Sequence, residues 1–213
     1  MSTTAIVVAG GSGARFGAAK QFARLGGASV LDRAVGSARA ACDRVVVVIP
    51  ADFGWEAPAG VATAPGGATR SDSVRAGLAL VADDTDIVVV HDAARPLASR
   101  SLFAAVISAV EAGADAAIPA LPIVDTVKRV EGIRVLDTVP RADLVVVQTP
   151  QAFRAAMLRA AHAGAAVDTD DAALVEAHGG TVVIGPGETR NLKLTVAADL
   201  ELAHALLDTG AGP

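Results

Sequence analysis

AIVVAGGSGARFGAAKQF, residues 5–22, is the stretch that decides the fold. Its first five residues are apolar and mostly β-branched with no polar break, the pattern of a strand covered on both faces, and glycines follow at once. Two runs of the same kind recur at 45–49 and 87–90. Between and after them, residues 31–41, 73–81 and 101–112 carry apolar side chains at helical spacing. This strand–helix–strand alternation predicts an α/β fold: a mostly parallel sheet with right-handed crossovers and helices on both faces. Further strands are expected at 116–120, 145–148 and 181–184, and a last helix at 197–207. In such sheets ligands bind at the carboxyl ends of the strands, which is where the glycine segment emerges.

One segment departs from that rhythm. Residues 122–142 read PIVDTVKRVEGIRVLDTVPRA, two alternating strands about Glu131-Gly132, and predict a β-hairpin with an apolar and a polar face. An isolated two-stranded hairpin is marginal in water, so it is expected to act as an arm that packs on the parent domain or on a second subunit. Residues 1–208 read as a single domain with 122–142 as that arm, and 209–213 as a disordered Gly/Pro tail.

The composition narrows the function classes. With 213 residues, 52% hydrophobic and 19% charged, the chain is neither disordered nor too small for a substantial core. No apolar run approaches the roughly 20 residues of a membrane helix, and the start leaves no room for a signal peptide, so a cytoplasmic protein is expected. One cysteine, Cys42, makes neither an internal disulfide nor a thiol zinc site. The net charge of −5 argues against nucleic acid as a partner. Fifteen arginines stand beside three lysines, Lys20, Lys128 and Lys193, which marks the lysines as places where a compact, mobile ammonium could be wanted.

Three segments carry chemistry. In the first, glycines let the backbone approach a phosphate, and the loop delivers Arg15 and Lys20 to the sheet edge. It is not a dinucleotide fingerprint, because Phe16 stands where the third glycine belongs, and not a Walker A loop, because Arg15 replaces the Gly-Lys pair. The second is PGGATRSDSV, residues 65–74. Ser71, Asp72 or Ser73 could cap the helix that follows; alternatively Gly67 and Ser73 bond a base edge while Arg70 holds the loop or a phosphate. The third is HDAARP, residues 91–96, at the end of the third long strand and beside the glycine loop. Asp92 suits Mg²⁺, which takes one or two carboxylates and keeps its waters, and Arg95 could clamp a phosphate. His91 has no partner at ligand spacing and is expected to pack or hydrogen-bond; His162, His178 and His204 receive no role.

In their order, AGGSGARFG, KQF, GGATRSDSV, VHDAARP, VDTVKR, TPQAF and NLKLT resemble the 2-C-methyl-D-erythritol 4-phosphate cytidylyltransferase family of the non-mevalonate isoprenoid pathway, from Ala5 to about Leu206. The resemblance implies a Rossmann-like nucleotidyltransferase sheet whose β-arm clasps a partner in a homodimer. It implies that CMP passes from CTP to methylerythritol phosphate with Mg²⁺ as cofactor. Ala9, Gly10, Gly11 and Gly13 would then wrap the CTP with Arg15 and Lys20 on its phosphates. Gly67 and Ser73 would read the cytosine, and Arg70 and Ala93 would complete the nucleotide site. Asp92 would bind metal and substrate, and Arg95 would lie near the sugar phosphate. Thr126 and Arg141, on the arm, would reach the other subunit's substrate, Thr149 would line the pocket, and Lys193 would serve the reacting phosphates. Lys128 is expected to stabilise the arm. Phe16, where the family often has Met, and the neutral Ala68-Thr69, in place of an acidic pair sometimes seen there, depart from the family's residues without removing a charge the reaction needs. The competing readings are a ribitol-5-phosphate cytidylyltransferase, a nicotinamide-dependent reductase and a non-catalytic nucleotide sensor.

Overall fold

The computed structural model describes residues 1–10, 22–51, 53–164 and 170–209. In chain order its elements are β1 (Thr3–Val8), β2 (Arg24–Leu25), β3 (Ala28–Ser29), α1 (Val30–Ala41), β4 (Arg44–Ile49), β5 (Val61–Pro65), α2 (Arg70–Leu78), β6 (Ile87–Asp92), α3 (Arg100–Glu111), β7 (Ala116–Pro122), β8 (Val127–Glu131), β9 (Arg134–Val139), β10 (Val145–Val147), β11 (Gln151–Arg154), α4 (Ala155–His162), α5 (Asp171–Ala177), β12 (Val182–Pro186) and α6 (Ala197–Asp208).

The main sheet runs β5–β4–β1–β6–β11–β7–β12, with β10 beside the far half of β7. β1 lies parallel between β4 and β6, so Ala5 faces Val45 on one side and Val89 on the other. Its unbroken apolar character follows from being covered twice. Ala5 and Val7 pack under α1 and α3 with Val35, Leu102 and Phe103, while Ile6 packs under α2, α4 and α5 with Val74, Leu158 and Val175. Each of these Val, Ile, Leu and Phe side chains, fully buried, contributes roughly 1.5–3 kcal/mol, which is what holds helices to both faces. The three predicted strands and three predicted helices around them are all present.

Helix starts are set by side chains that satisfy the first free N–H groups. Ser29 and Asp32 form a reciprocal capping box on α1, Thr69 and Asp72 form one on α2, and Ser99 caps α3. α2 also sits unusually close to the sheet at Gly77, where an added Cβ would meet Ile6 Cγ2 at 2.5 Å and Val48 Cγ2 at 3.1 Å. The loop after β4 folds back over the front of α1. Phe53 stacks on Phe22, and the Trp55 indole donates to Asp32 Oδ1 at 3.0 Å.

Several expectations are corrected. α2 starts at Arg70 rather than Ser73, and its cap is Thr69 rather than Ser71, Asp72 or Ser73, because Asp72 is the residue that completes the box. β5 and β11 were not anticipated: β5 is a half-exposed edge of Ala, Thr and Pro, and β11 is a four-residue strand hidden in TPQAF. β11 is antiparallel to both β6 and β7, so the sheet is mixed although most of its pairs are parallel. The hairpin exists as β8 and β9, with its turn at Gly132-Ile133, Gly132 adopting φ 58. It does not have one apolar face. Alternation puts Val127/Val139 on the side of the Arg129–Asp137 ion pair, and a register shift that skips Leu136 puts Val135 with Val130 on the side of Lys128 and Thr138. Lys128 donates to Thr138 Oγ1 at 2.5 Å across the strands, an arm-stabilising contact as expected. Thr209, assigned to the tail, caps α6 through its hydroxyl on Leu206; residues 210–213 lie outside the described residues. No described helix is long and apolar enough to cross a membrane.

Candidate active site

The carboxyl ends of β1, β4 and β6 form one rim. Val8 and Asp92 are register partners there, the Ala93 N–H donates to Val8 O (3.0 Å), and the Ala9 N–H donates to Val48 O (2.8 Å). Gly10 and the Gly66-Gly67 loop meet on this rim. A Cβ on Gly10 would come within 3.2 Å of Ser73 Oγ, and one on Gly67 would collide with the side chain of Asp72. Glycine is required at Gly67 by the close approach of the first turn of α2.

Asp92 is the centre of the site. Its Oδ2 accepts from Lys193 Nζ at 2.6 Å and its Oδ1 from Arg70 Nε at 3.3 Å. Arg70 continues through Nη1 to Asp171 Oδ2 at 2.6 Å, and Asp171 Oδ1 bonds His162 Nε2 at 3.0 Å. Burial pushes the Asp92 carboxyl up, but the neighbouring Arg70 and Lys193 charges outweigh it and hold the group well below the usual carboxylate range. Arg70, Lys193 and Arg95 stand here against Asp92, Asp170 and Asp171, three cations to three acids, so each cation of the described site is matched by a carboxylate.

The floor beneath Asp92 is a chain of satisfied polar groups. The Asp92 N–H donates to Thr149 Oγ1 (3.0 Å), the Thr149 hydroxyl donates to His91 Nδ1 (3.2 Å), and His91 Nε2 meets Arg95 O (3.2 Å). That pattern uses the neutral imidazole on both sides. Burial pushes His91 down to about 4, in keeping with the packing role expected of it, and its ring also lies against Phe103.

The structure brings together Gly10, Gly67, Arg70, Ser73, Asp92 and Lys193, with Asp92 and Lys193 in contact across 101 residues of sequence. It redirects others. Ser73 is buried and braces the loop, accepting from Gly67 N (3.2 Å) and donating to Thr69 O (3.1 Å), so its hydroxyl is engaged internally rather than turned to a base. Arg95, expected near the sugar phosphate, is buried and donates to Asn191 O (2.8 Å) and Val147 O (3.3 Å). Its charge underlies the site without opening onto it. Ala93 points its methyl into the core beneath α1 and α3, and Thr149 lies under Asp92 rather than on an open wall. Thr126 and Arg141 are exposed at the base of the arm, where the Arg141 guanidinium holds Val124 O. Gly11, Gly13, Arg15 and Lys20 lie outside the described residues.

Four site-supporting residues were missed. Asp171 and His162 carry no local motif, because Asp171 meets Arg70 from 101 residues away and His162 joins only through Asp171. Asn191 stands inside a quoted motif and Gln148 ends an expected strand, yet spacing alone does not reveal that they bond each other, at 3.3 Å. Among the described residues there is no cluster of three or more His, Cys, Asp or Glu side chains able to hold a metal unaided.

The family model described as 2-C-methyl-D-erythritol 4-phosphate cytidylyltransferase matches residues 3–209. An enzyme of that name from Rhodococcus jostii (strain RHA1) is 46% identical over 217 residues, covering 97% of this chain and 96% of the relative. A bifunctional enzyme IspD/IspF from Clavibacter michiganensis subsp. michiganensis is also 46% identical, over 97% of this chain, which spans 55% of that longer protein. Among solved structures, the 2-C-methyl-D-erythritol 4-phosphate cytidylyltransferase of Thermus thermophilus superposes with a TM-score of 0.83 at 37% identity, over 95% of this chain and 98% of that one.

Proposed function

Since this chain belongs to the 2-C-methyl-D-erythritol 4-phosphate cytidylyltransferase family, we propose a division of labour among its own residues for the reaction that defines the family. The protein is a nucleotidyltransferase that makes 4-diphosphocytidyl-2-C-methyl-D-erythritol from CTP in isoprenoid biosynthesis. The observation that carries the residue assignment is the convergence of Arg70, Asp92 and Lys193 on one rim of the sheet.

The attacking group is a phosphate monoester, already largely dianionic at neutral pH because its second pKa is about 6. Its oxygen attacks the α-phosphorus of CTP, the bond to the β-phosphate oxygen breaks, and pyrophosphate leaves. No general base is needed. The protein's task is to suppress repulsion between anions and to stabilise charge on the α-phosphoryl oxygens. Lys193 does this by exchanging Asp92 for phosphate, with Arg15 and Lys20 on the rest of the triphosphate. Gly10, Gly67 and Ser73 shape the pocket for the base, and Arg70 fixes Asp92.

Mg²⁺ suits this arrangement as a cofactor. Each Asp92 oxygen accepts one hydrogen bond and keeps a second lone pair, and Mg²⁺ commonly takes one or two carboxylates with phosphate and water completing its shell. Bound there, it supplies charge neutralisation on the phosphates. The arm, exposed and paired only with itself, is proposed to clasp a second copy, so that Thr126 and Arg141 reach the neighbour's methylerythritol phosphate. A cytoplasmic location belongs to the same proposal.

The test is pyrophosphate release with CTP, Mg²⁺ and methylerythritol phosphate, repeated with ribitol 5-phosphate and with other nucleoside triphosphates. Lys193→Ala is expected to lower kcat about 100-fold, the scale for losing one transition-state donor. A loss under about tenfold refutes the assignment. Light scattering of a stable monomer at micromolar concentration would refute the shared site.

A further inference from the structure

Lys193 belongs to a loop, residues 187–195, with no ladder of its own between β12 and α6. Its backbone polar groups must therefore be met from elsewhere. One buried carboxamide meets three of them. Gln148 Nε2 donates to Glu188 O (2.9 Å) and Asn191 O (3.3 Å), while Gln148 Oε1 accepts from Glu188 N (3.0 Å) and Asn191 Nδ2 (3.3 Å). Asn191, fully buried, passes its second amide hydrogen to Thr149 O at 2.9 Å, and Arg95 adds its bond to Asn191 O. Further along the loop, the Leu194 N–H donates to Ala94 O (2.8 Å). Lys193 is thus bracketed on both sides, and its ammonium reaches Asp92 from a fixed stem.

We propose that Gln148 is a positioning residue for cytidylyl transfer: with Asn191 it holds loop 187–195 so that Lys193 meets the reacting phosphates. This rests on the reading of Lys193 given above. A lysine side chain is long and flexible, so placing its ammonium during the reaction depends on where its Cα is held. A displacement of about 1 Å can cost on the order of 100-fold in rate. The contribution of Gln148 therefore runs through Lys193 and through kcat. The glycine segments that take the nucleotide attach to β1 and α2, on other parts of the rim.

A double-mutant cycle in the full-length protein tests this, with steady-state kinetics and a thermal melt on every variant. Gln148→Ala is expected to lower kcat about tenfold or more with the KM for CTP within about threefold of the parent. In a Lys193→Met background the same change is expected to cost less than about twofold, because the group it positions is gone. Equal fold-losses in both backgrounds, or a loss confined to KM, overturn the proposal. If Lys193→Met alone costs less than about tenfold, the reading of Lys193 fails instead, so the two failures are distinct. Should Gln148→Ala not fold, Gln148→Glu carries the same cycle: it is isosteric, keeps both accepted bonds and removes the two donated ones.

Discussion

Replacing Gly77 with alanine adds a single methyl group at the tightest helix-to-sheet contact of α2. Its Cβ would stand 2.5 Å from Ile6 Cγ2 and 3.1 Å from Val48 Cγ2, and both neighbours are completely buried. Two terms of opposite sign compete. Alanine is the better helix former by about 1 kcal/mol. Overpacking a close-packed core costs about 1–3 kcal/mol, and β-branched neighbours locked at χ1 place this site in the upper part of that range. The net expectation is a loss of about 1–2 kcal/mol, or a melting point lower by about 3–6 °C for a chain of this length. Relief requires α2 to retreat by about 1 Å, since carbon atoms rest about 3.5–4.0 Å apart. Arg70 begins the same nine-residue helix, and its 3.3 Å bond to Asp92 has no slack for such a shift. Activity should therefore fall about 10- to 100-fold. Circular-dichroism melts and pyrophosphate release measure the two effects. Gly36→Ala in α1 is the control of opposite sign: its Cβ would meet nothing within 4 Å, so it should stabilise by about 0.5–1 kcal/mol. A Gly77→Ala protein that melts higher than its parent and keeps full activity would refute the packing argument.

Further outcomes follow from the cap and from the buried imidazole. Thr69→Ala removes the acceptor for Asp72 N at 3.0 Å and should cost about 1 kcal/mol in urea unfolding, with Thr69→Ser nearly neutral because serine restores both halves of the box. His91 is neutral when folded and titrates near 4 rather than 6.5, so the unfolded chain binds its proton first as pH falls. Stability should decline by up to about 3 kcal/mol between pH 6.5 and 4 on this account, and a His91→Gln protein should show a shallower slope over that window. An unchanged slope would mean that other groups govern acid sensitivity.

Much of the architecture was legible because its signals are local. The doubly covered strands β1, β4 and β6 announce themselves as unbroken β-branched runs, and Gly132 with its flanking alternation gives the hairpin. Asp92 was legible as an acid at the end of the third apolar strand and Lys193 as one of only three lysines, and both also sit in short motifs that resemble a known family. What spacing could not convey is pairing at long range. Arg95 and Ser73 carry the right chemistry for a ligand, yet the fold spends the first on carbonyls of Val147 and Asn191 and the second on its own loop. Asp171 and His162 were invisible for the converse reason, since only the fold brings them to Arg70. β11 was hidden because a four-residue strand leaves too few positions to show a period. The register shift that skips Leu136 likewise puts Val135 and Val139 on opposite faces, which strict alternation would place on one.

The corner where Phe53 lies on Phe22 has a spectroscopic consequence. The chain contains one tryptophan and no tyrosine, so its ultraviolet emission is that of a single indole. Trp55 sits two residues from Phe53, tied to Asp32, and Phe22 follows Lys20 by two residues. Trp55 is thus a built-in optical reporter two residues from a ring that follows the segment proposed above to hold the triphosphate.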